Sequence, residues 1–182
     1  MDFNIDFRAF RLGDEVVINK LRTYRERESK VGGMKRFVSI DREAKWVHDI
    51  IMGDSQSSFY FAIVEIGQEE MIGYTSISDI DYRNGSCFWS GIKLIPECSG
   101  KGYGTQVALL ILKYVFEELR MARCIGTCQE NHIAALRLME KVGYQKEGLM
   151  RKSLFKNGCH INQWLLSITD DDYKTIKVNF EL

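Results

Sequence analysis

A chain of 182 residues in which 45% are hydrophobic and a single one is proline can bury one sizeable core, and it lacks the bias of a disordered or collagen-like sequence. Its 25 basic and 25 acidic side chains cancel, so the totals carry no footprint for nucleic acid or an anionic membrane surface. Five cysteines, an odd count in a chain too long to need staples, read as reduced thiols.

The opening MDFNIDFRAF lacks the basic-then-apolar order of a signal peptide, and no apolar run approaches the roughly 20 residues that span a bilayer. The expected location is therefore the cytoplasm. Residues 7–12 alternate as a strand should, and Gly13-Asp14 marks the start of a helix running to Leu21 or Tyr24. Residues 22–36 are dense in charge and contain Gly32-Gly33, which predicts a helix end and a mobile loop. Asp41 caps a helix that carries Ala44, Trp46, Val47, Ile50 and Ile51 and stops at Gly53. Strands over 58–66 and 71–80 form a hairpin through Gln68-Glu69-Glu70, and Asn84-Gly85 reverses the chain into a strand over 86–94.

That strand delivers the chain to IKLIPECSGKGYGT, residues 92–105, where Gly100, Gly102 and Gly104 alternate before an apolar run over 106–119. In that run Ala108, Ile111, Leu112, Val115 and Leu119 recur on one helical face. Glycines let several backbone N–H groups turn into one concavity, the helix N-terminus adds amides without intrahelical acceptors, and Lys101 adds a full charge. Such a unit suits phosphate. A Walker loop would need Ser or Thr directly after Lys101, where Gly102 stands, and the dinucleotide fingerprint would need glycine at Thr105. A strand over 124–128, a helix over 134–142 stopped by Gly143, and a hairpin of 149–155 with 160–168 about Asn157-Gly158 complete the chain. Cys124 and Cys128 share one strand face, and without a second pair at ligand spacing they read as core rather than metal ligands. The order of elements is α+β, one domain over 1–182 around one central mixed sheet.

Pro96-Glu97 followed by Ser99-Gly100-Lys101-Gly102-Tyr103-Gly104-Thr105 resembles the pyrophosphate loop of the GNAT superfamily, the acetyl-CoA-dependent N-acetyltransferases. Gly102 and Gly104 match its pattern, while Ser99 stands at its Arg/Gln position. Downstream, residues 130–144 resemble the family's Asn-containing segment and Glu-Lys-x-Gly-Phe/Tyr helix end. In detail the chain is similar to the branch that acetylates ribosomal-protein N-termini and to its polyamine-acetylating relatives. The resemblance implies the GNAT fold with a mostly antiparallel twisted sheet flanked by helices, acetyl-CoA as co-substrate, no metal, and an amine acceptor met by a monomer or homodimer. It also implies coenzyme contacts from Ile92, Leu94, Ser99, Gly100, Lys101, Gly102, Tyr103, Gly104 and Thr105, with Asn131 or His132 on the pantetheine and an oxyanion donor among the backbone amides of 92–94.

Acetyl transfer to an amine needs a held thioester, a positioned amine, a route for its proton and donors for the oxyanion. Relatives often carry Glu where Trp89 stands and Tyr where Met139 stands, and neither residue transfers protons. Alternation of Tyr74, Ser76, Ser78 and Ile80 puts Asp79 on the other strand face, with Thr75 and Ile77, so Asp79 is the expected base and Glu130 the second candidate. Both also read as solvated turn carboxylates. Two functions follow: an N-acetyltransferase acting by direct attack on a primary amine, a protein or peptide N-terminus in first place and a polyamine, aminosugar or aminoglycoside as alternatives, or a non-catalytic acyl-CoA-binding module of the same fold.

Overall fold

Turn signals cut the chain where the computed structural model, which describes residues 2–182, reverses it. The elements are β1 (Ile5–Arg8), α1 (Asp14–Leu21), α2 (Arg25–Lys30), α3 (Ile40–Met52), β2 (Phe59–Glu65), β3 (Met71–Asp81) and β4 (Ser86–Leu94). After the glycine loop come α4 (Tyr103–Lys113), β5 (Arg123–Gln129), α5 (Ile133–Lys141), β6 (Gln145–Lys156), β7 (Cys159–Thr169) and α6 (Asp170–Phe180). The strands form one sheet in the order β1-β2-β3-β4-β5-β7-β6, antiparallel except at β4–β5.

Several boundaries differ from the sequence expectation for physical reasons. The first strand is Ile5–Arg8, paired with Glu65 to Ala62 of β2, because Phe10 leaves the sheet to pack edge-on against Trp46 and Tyr74. Helix α3 is capped by Ser39, whose Oγ accepts from the Arg42 amide at 3.3 Å, and Asp41 lies inside its first turn. The charged segment after α1 contains the short helix α2. Strand β6 begins four residues before the expected 149. Helix α6 had not been expected; a capping box of Thr169 and Asp172 starts it. The run after Gly104 is helical as expected, with α4 continuing through one wide π turn at Tyr114–Glu118. Gly143 stops α5 at φ 96°.

Strand alternation sends the two sheet faces to different cores. Ala62 and Tyr74 pair across β2–β3 and pack with Ile18, Leu21 and Val47 under α1 and α3. On the other face Ile77 and Trp89 meet α4, where Val107, Ala108, Leu109, Ile111 and Leu112 have no exposed surface. A helix this apolar all round is held by burial, about 1.5–3 kcal/mol for each large aliphatic side chain, and so fixes the loop that precedes it.

Candidate active site

The parallel pairing of β4 with β5 lasts for three residue pairs, Ser86 with Arg123, Cys87 with Cys124 and Phe88 with Ile125. Beyond them the strands part. The cause lies in β4, where Ser90 and Gly91 bulge opposite Ser76, with Gly91 at φ 80°. The bulge is tied down from both sides: the buried Trp89 indole N–H donates to Thr75 Oγ at 2.9 Å, and that hydroxyl donates to the Gly91 carbonyl at 2.7 Å. Trp89 therefore orders the strand at the position where a carboxylate had been weighed.

Parting leaves the β5-facing edge of β4 from Trp89 to Leu94 without a ladder partner, a row of amides and carbonyls able to receive an extended amide-bearing ligand as an added strand. Two adjoining cavities, which share Ile92, Lys93 and His132 in their linings, fill the gap. One, of about 430 Å³, is lined by Arg27, Lys30, Lys93, Leu94, Ser99 and His132 among others and opens toward the glycine loop. The second, of about 780 Å³, runs past Ile92, Lys93 and His132 to a wall of Trp46, Tyr60 and Tyr74. Both volumes fall in the range of small-molecule sites.

At the smaller cavity Gly102 takes φ 79° as the residue before α4, and open space surrounds the position of a Cβ there. The first amides of α4 lack intrahelical acceptors and carry the positive end of the helix dipole, so the loop can cradle an anion. Lys101 turns away: its Nζ lies 3.3 Å from Glu65, which also accepts from the Tyr103 hydroxyl at 2.6 Å. The guanidinium of Arg27 on α2 reaches in, donating to the Leu94 carbonyl at 2.6 Å and to Ser99 Oγ at 3.3 Å. It sits beside the residue that occupies the expected Arg/Gln position.

Of the residues singled out from sequence, the structure brings Ile92, Leu94, Ser99 and His132 to the cavities, with Gly100 to Thr105 forming the adjoining loop. Asn131 is an exposed turn residue lining neither cavity. Asp79 does not face the cleft: a second irregularity, between Ser78 and Asp81, breaks the alternation and leaves Asp79 exposed at φ 49°. Glu130 is exposed too, accepting from the Asn162 amide at 3.0 Å. Among the described residues no carboxylate lines the larger cavity.

Two of the shifted titratable groups that line the cleft bear on the chemistry. His132 is half-buried, and burial followed by the charge of Lys30 lowers its pKa below 6.5, so its imidazole is neutral at pH 7. Burial pushes the Cys128 thiol up to about 11, which keeps it protonated and a poor nucleophile. Arg27, Thr75, Lys93 and the aromatic wall were not selected from sequence; their signal is a cross-strand or cross-helix neighbour that periodicity does not report. Among the described residues no cluster of three His, Cys, Asp or Glu side chains is placed to hold a metal, and no helix is long and apolar enough to cross a membrane.

Comparison with known proteins agrees with this geometry. The Acetyltransferase (GNAT) domain matches residues 4–145. The SPbeta prophage-derived uncharacterized N-acetyltransferase YokL of Bacillus subtilis is 26% identical over 171 residues, covering 94% of this chain and 93% of the relative. The spermidine N(1)-acetyltransferase of Vibrio cholerae is 25% identical over 158 residues, 87% of this chain and 88% of its own. The [Ribosomal protein uS5]-alanine N-acetyltransferase of Escherichia coli is 20% identical over 117 residues, 64% and 60% of the two chains. Among solved structures, the Vibrio cholerae spermidine N-acetyltransferase in complex with CoA and spermine superposes with a TM-score of 0.85 at 23% identity, over 94% of this chain and 98% of that one. A seven-stranded sheet parted between its parallel strands, a glycine loop at the N-terminus of a buried helix, and a domain match over most of the length agree: this chain belongs to the GNAT acetyltransferases, enzymes that take their acetyl group from acetyl-CoA.

Proposed function

We infer that this N-acetyltransferase acetylates the α-amine of a peptide or protein N-terminus by direct attack on acetyl-CoA. The observation that carries the choice of acceptor is the absence of any carboxylate lining the larger cavity among the described residues. A polyamine nitrogen, with a pKa near that of lysine at about 10.4, needs a strong local base and charge partners for its other ammonium groups. An N-terminal amine, with a pKa near 7.7–8.0, is already partly neutral at pH 7 and asks less of the site.

In the step itself the amine lone pair attacks the thioester carbonyl carbon and a C–N bond forms. Amides of β4 between Ile92 and Leu94 donate to the oxyanion, which collapses with cleavage of the C–S bond, and the thiolate leaves. The ammonium proton passes to the neutral imidazole of His132, which lines the cleft, and from it to bulk water. Protonated Cys128 argues against an acetyl-cysteine intermediate.

Calorimetry with acetyl-CoA, and mass spectrometry after incubation with an amine and N-terminal peptide library, test the reading. Gly102→Asp, which sets a negative side chain in the cradle at a left-handed backbone position, is expected to weaken acetyl-CoA binding by at least about tenfold. Equal binding by both proteins would remove the assigned cradle, and acetylation of polyamines alone would remove the peptide acceptor.

A further inference from the structure

Resting on that reading of the reaction, we propose that the acceptor carries a carboxylate close to its reactive amine and that Lys93 receives it. Lys93 pairs across the strands with Tyr74, so its side chain lies on the sheet face that carries the aromatic wall rather than the face packed by α4. Its ammonium donates to the Tyr74 hydroxyl at 2.8 Å and stands 5.1 Å from that ring's centroid. No ion pair among the described residues includes it, whereas Lys30, the other lysine at the cavity, is paired with Glu26 at 2.9 Å. A cation held by a neutral phenol and an aromatic face has its stem ordered and its charge uncompensated.

The surroundings say which ligand restores the balance. Trp46, Tyr60 and Tyr74 give apolar walls meeting at 5.4 and 6.1 Å, the glutamates Glu26 and Glu28 line only the smaller cavity near the glycine loop, and the larger one offers an acid no repulsion. A carboxylate entering here exchanges water for a charge-assisted hydrogen bond to Lys93 Nζ. A triamine in the larger cavity would set further ammonium groups against that same charge, while the lining carboxylates, Glu26 and Glu28, belong to the smaller cavity and Glu26 is already paired with Lys30; like charges at such a contact are disfavoured. Two sources share this chemistry: an acidic side chain near a peptide N-terminus, and the α-carboxylate of a free amino acid.

Free-thiol release from acetyl-CoA tests the proposal on matched peptides whose second residue is Asp, Ala or Lys, on free amino acids and on spermidine, with native protein, Lys93→Met and Lys93→Glu. For the native protein kcat/KM is expected to be at least about tenfold higher for the acidic than for the basic peptide. Lys93→Met should flatten the order and Lys93→Glu should invert it, while the KM for acetyl-CoA stays unchanged. Calorimetric acetyl-CoA binding by each variant reports that it is folded. Turnover confined to free amino acids keeps the carboxylate and removes the peptide; equal kcat/KM across the peptide series, or a Lys93→Glu protein with the native order, overturns the proposal and leaves the acetyltransferase reading standing. A rise in the KM for acetyl-CoA with acceptor order intact moves Lys93 to the coenzyme and overturns it as well. No turnover on any amine by a protein that binds acetyl-CoA overturns both.

Discussion

Thr75 is a small residue with a large share in the site, because a single hydroxyl both accepts from Trp89 and donates to Gly91 across the bulge. Thr75→Val keeps the shape and removes both bonds, leaving the buried indole N–H unpaired. That is expected to cost about 1–3 kcal/mol of stability in a denaturant titration. Turnover should fall about tenfold if the Ile92–Leu94 amides lose their aim, with acetyl-CoA affinity little changed. His132 gives a pH signature. Its folded pKa lies below the ordinary 6.5, so as pH falls the unfolded chain binds the proton first. The stability that His132 contributes is present above pH 6.5 and is lost as pH falls through the folded value. Comparing native and His132→Gln denaturation midpoints across the acid range checks this. In Lys30→Met, removal of the like charge should move the imidazole NMR titration upward.

At the scale of elements, α2 bridges the parted strands. Arg27 holds the Leu94 carbonyl of β4, Gln129 of β5 donates to the Ser29 carbonyl at 3.0 Å, and Lys156 of β6 donates to that of Glu28 at 2.9 Å. None of α2's side chains is buried, so these polar ties rather than a core hold it. Arg27→Ala is expected to speed hydrogen–deuterium exchange over 25–30 while the protection of β5 and β7 is kept; unchanged exchange in α2 would mean that the other two bonds suffice. The same contrast explains what the sequence made legible. Strands β2 to β5 and helix α4 follow from strong periodicity and turn residues, and the glycine loop from its spacing. α2 has no apolar stripe, and α6 sets Tyr173 and Ile176 among charges, so its signal lay in the Thr169-to-Asp172 cap alone. Asp79 was misplaced because alternation assumes an unbroken ladder, and Lys93 was passed over because its partner Tyr74 lies 19 residues away.

For the whole molecule the decisive feature is that two antiparallel half-sheets, β1-β2-β3-β4 and β5-β7-β6, share three residue pairs of parallel ladder and are further linked by the α4 crossover and the α2 bridge. The gap between them continues from the glycine loop to the aromatic wall through residues shared by both cavities, Ile92, Lys93 and His132 among them. Two cavities that share a wall bear on the kinetic order. With the donor at the glycine-loop cavity and the acceptor at the aromatic wall, as proposed above, neither must vacate before the other arrives, and direct attack then calls for a ternary complex. Double-reciprocal plots at several fixed acceptor concentrations should intersect rather than run parallel, and coenzyme A without its acetyl group should compete with acetyl-CoA while leaving the acceptor's own route open.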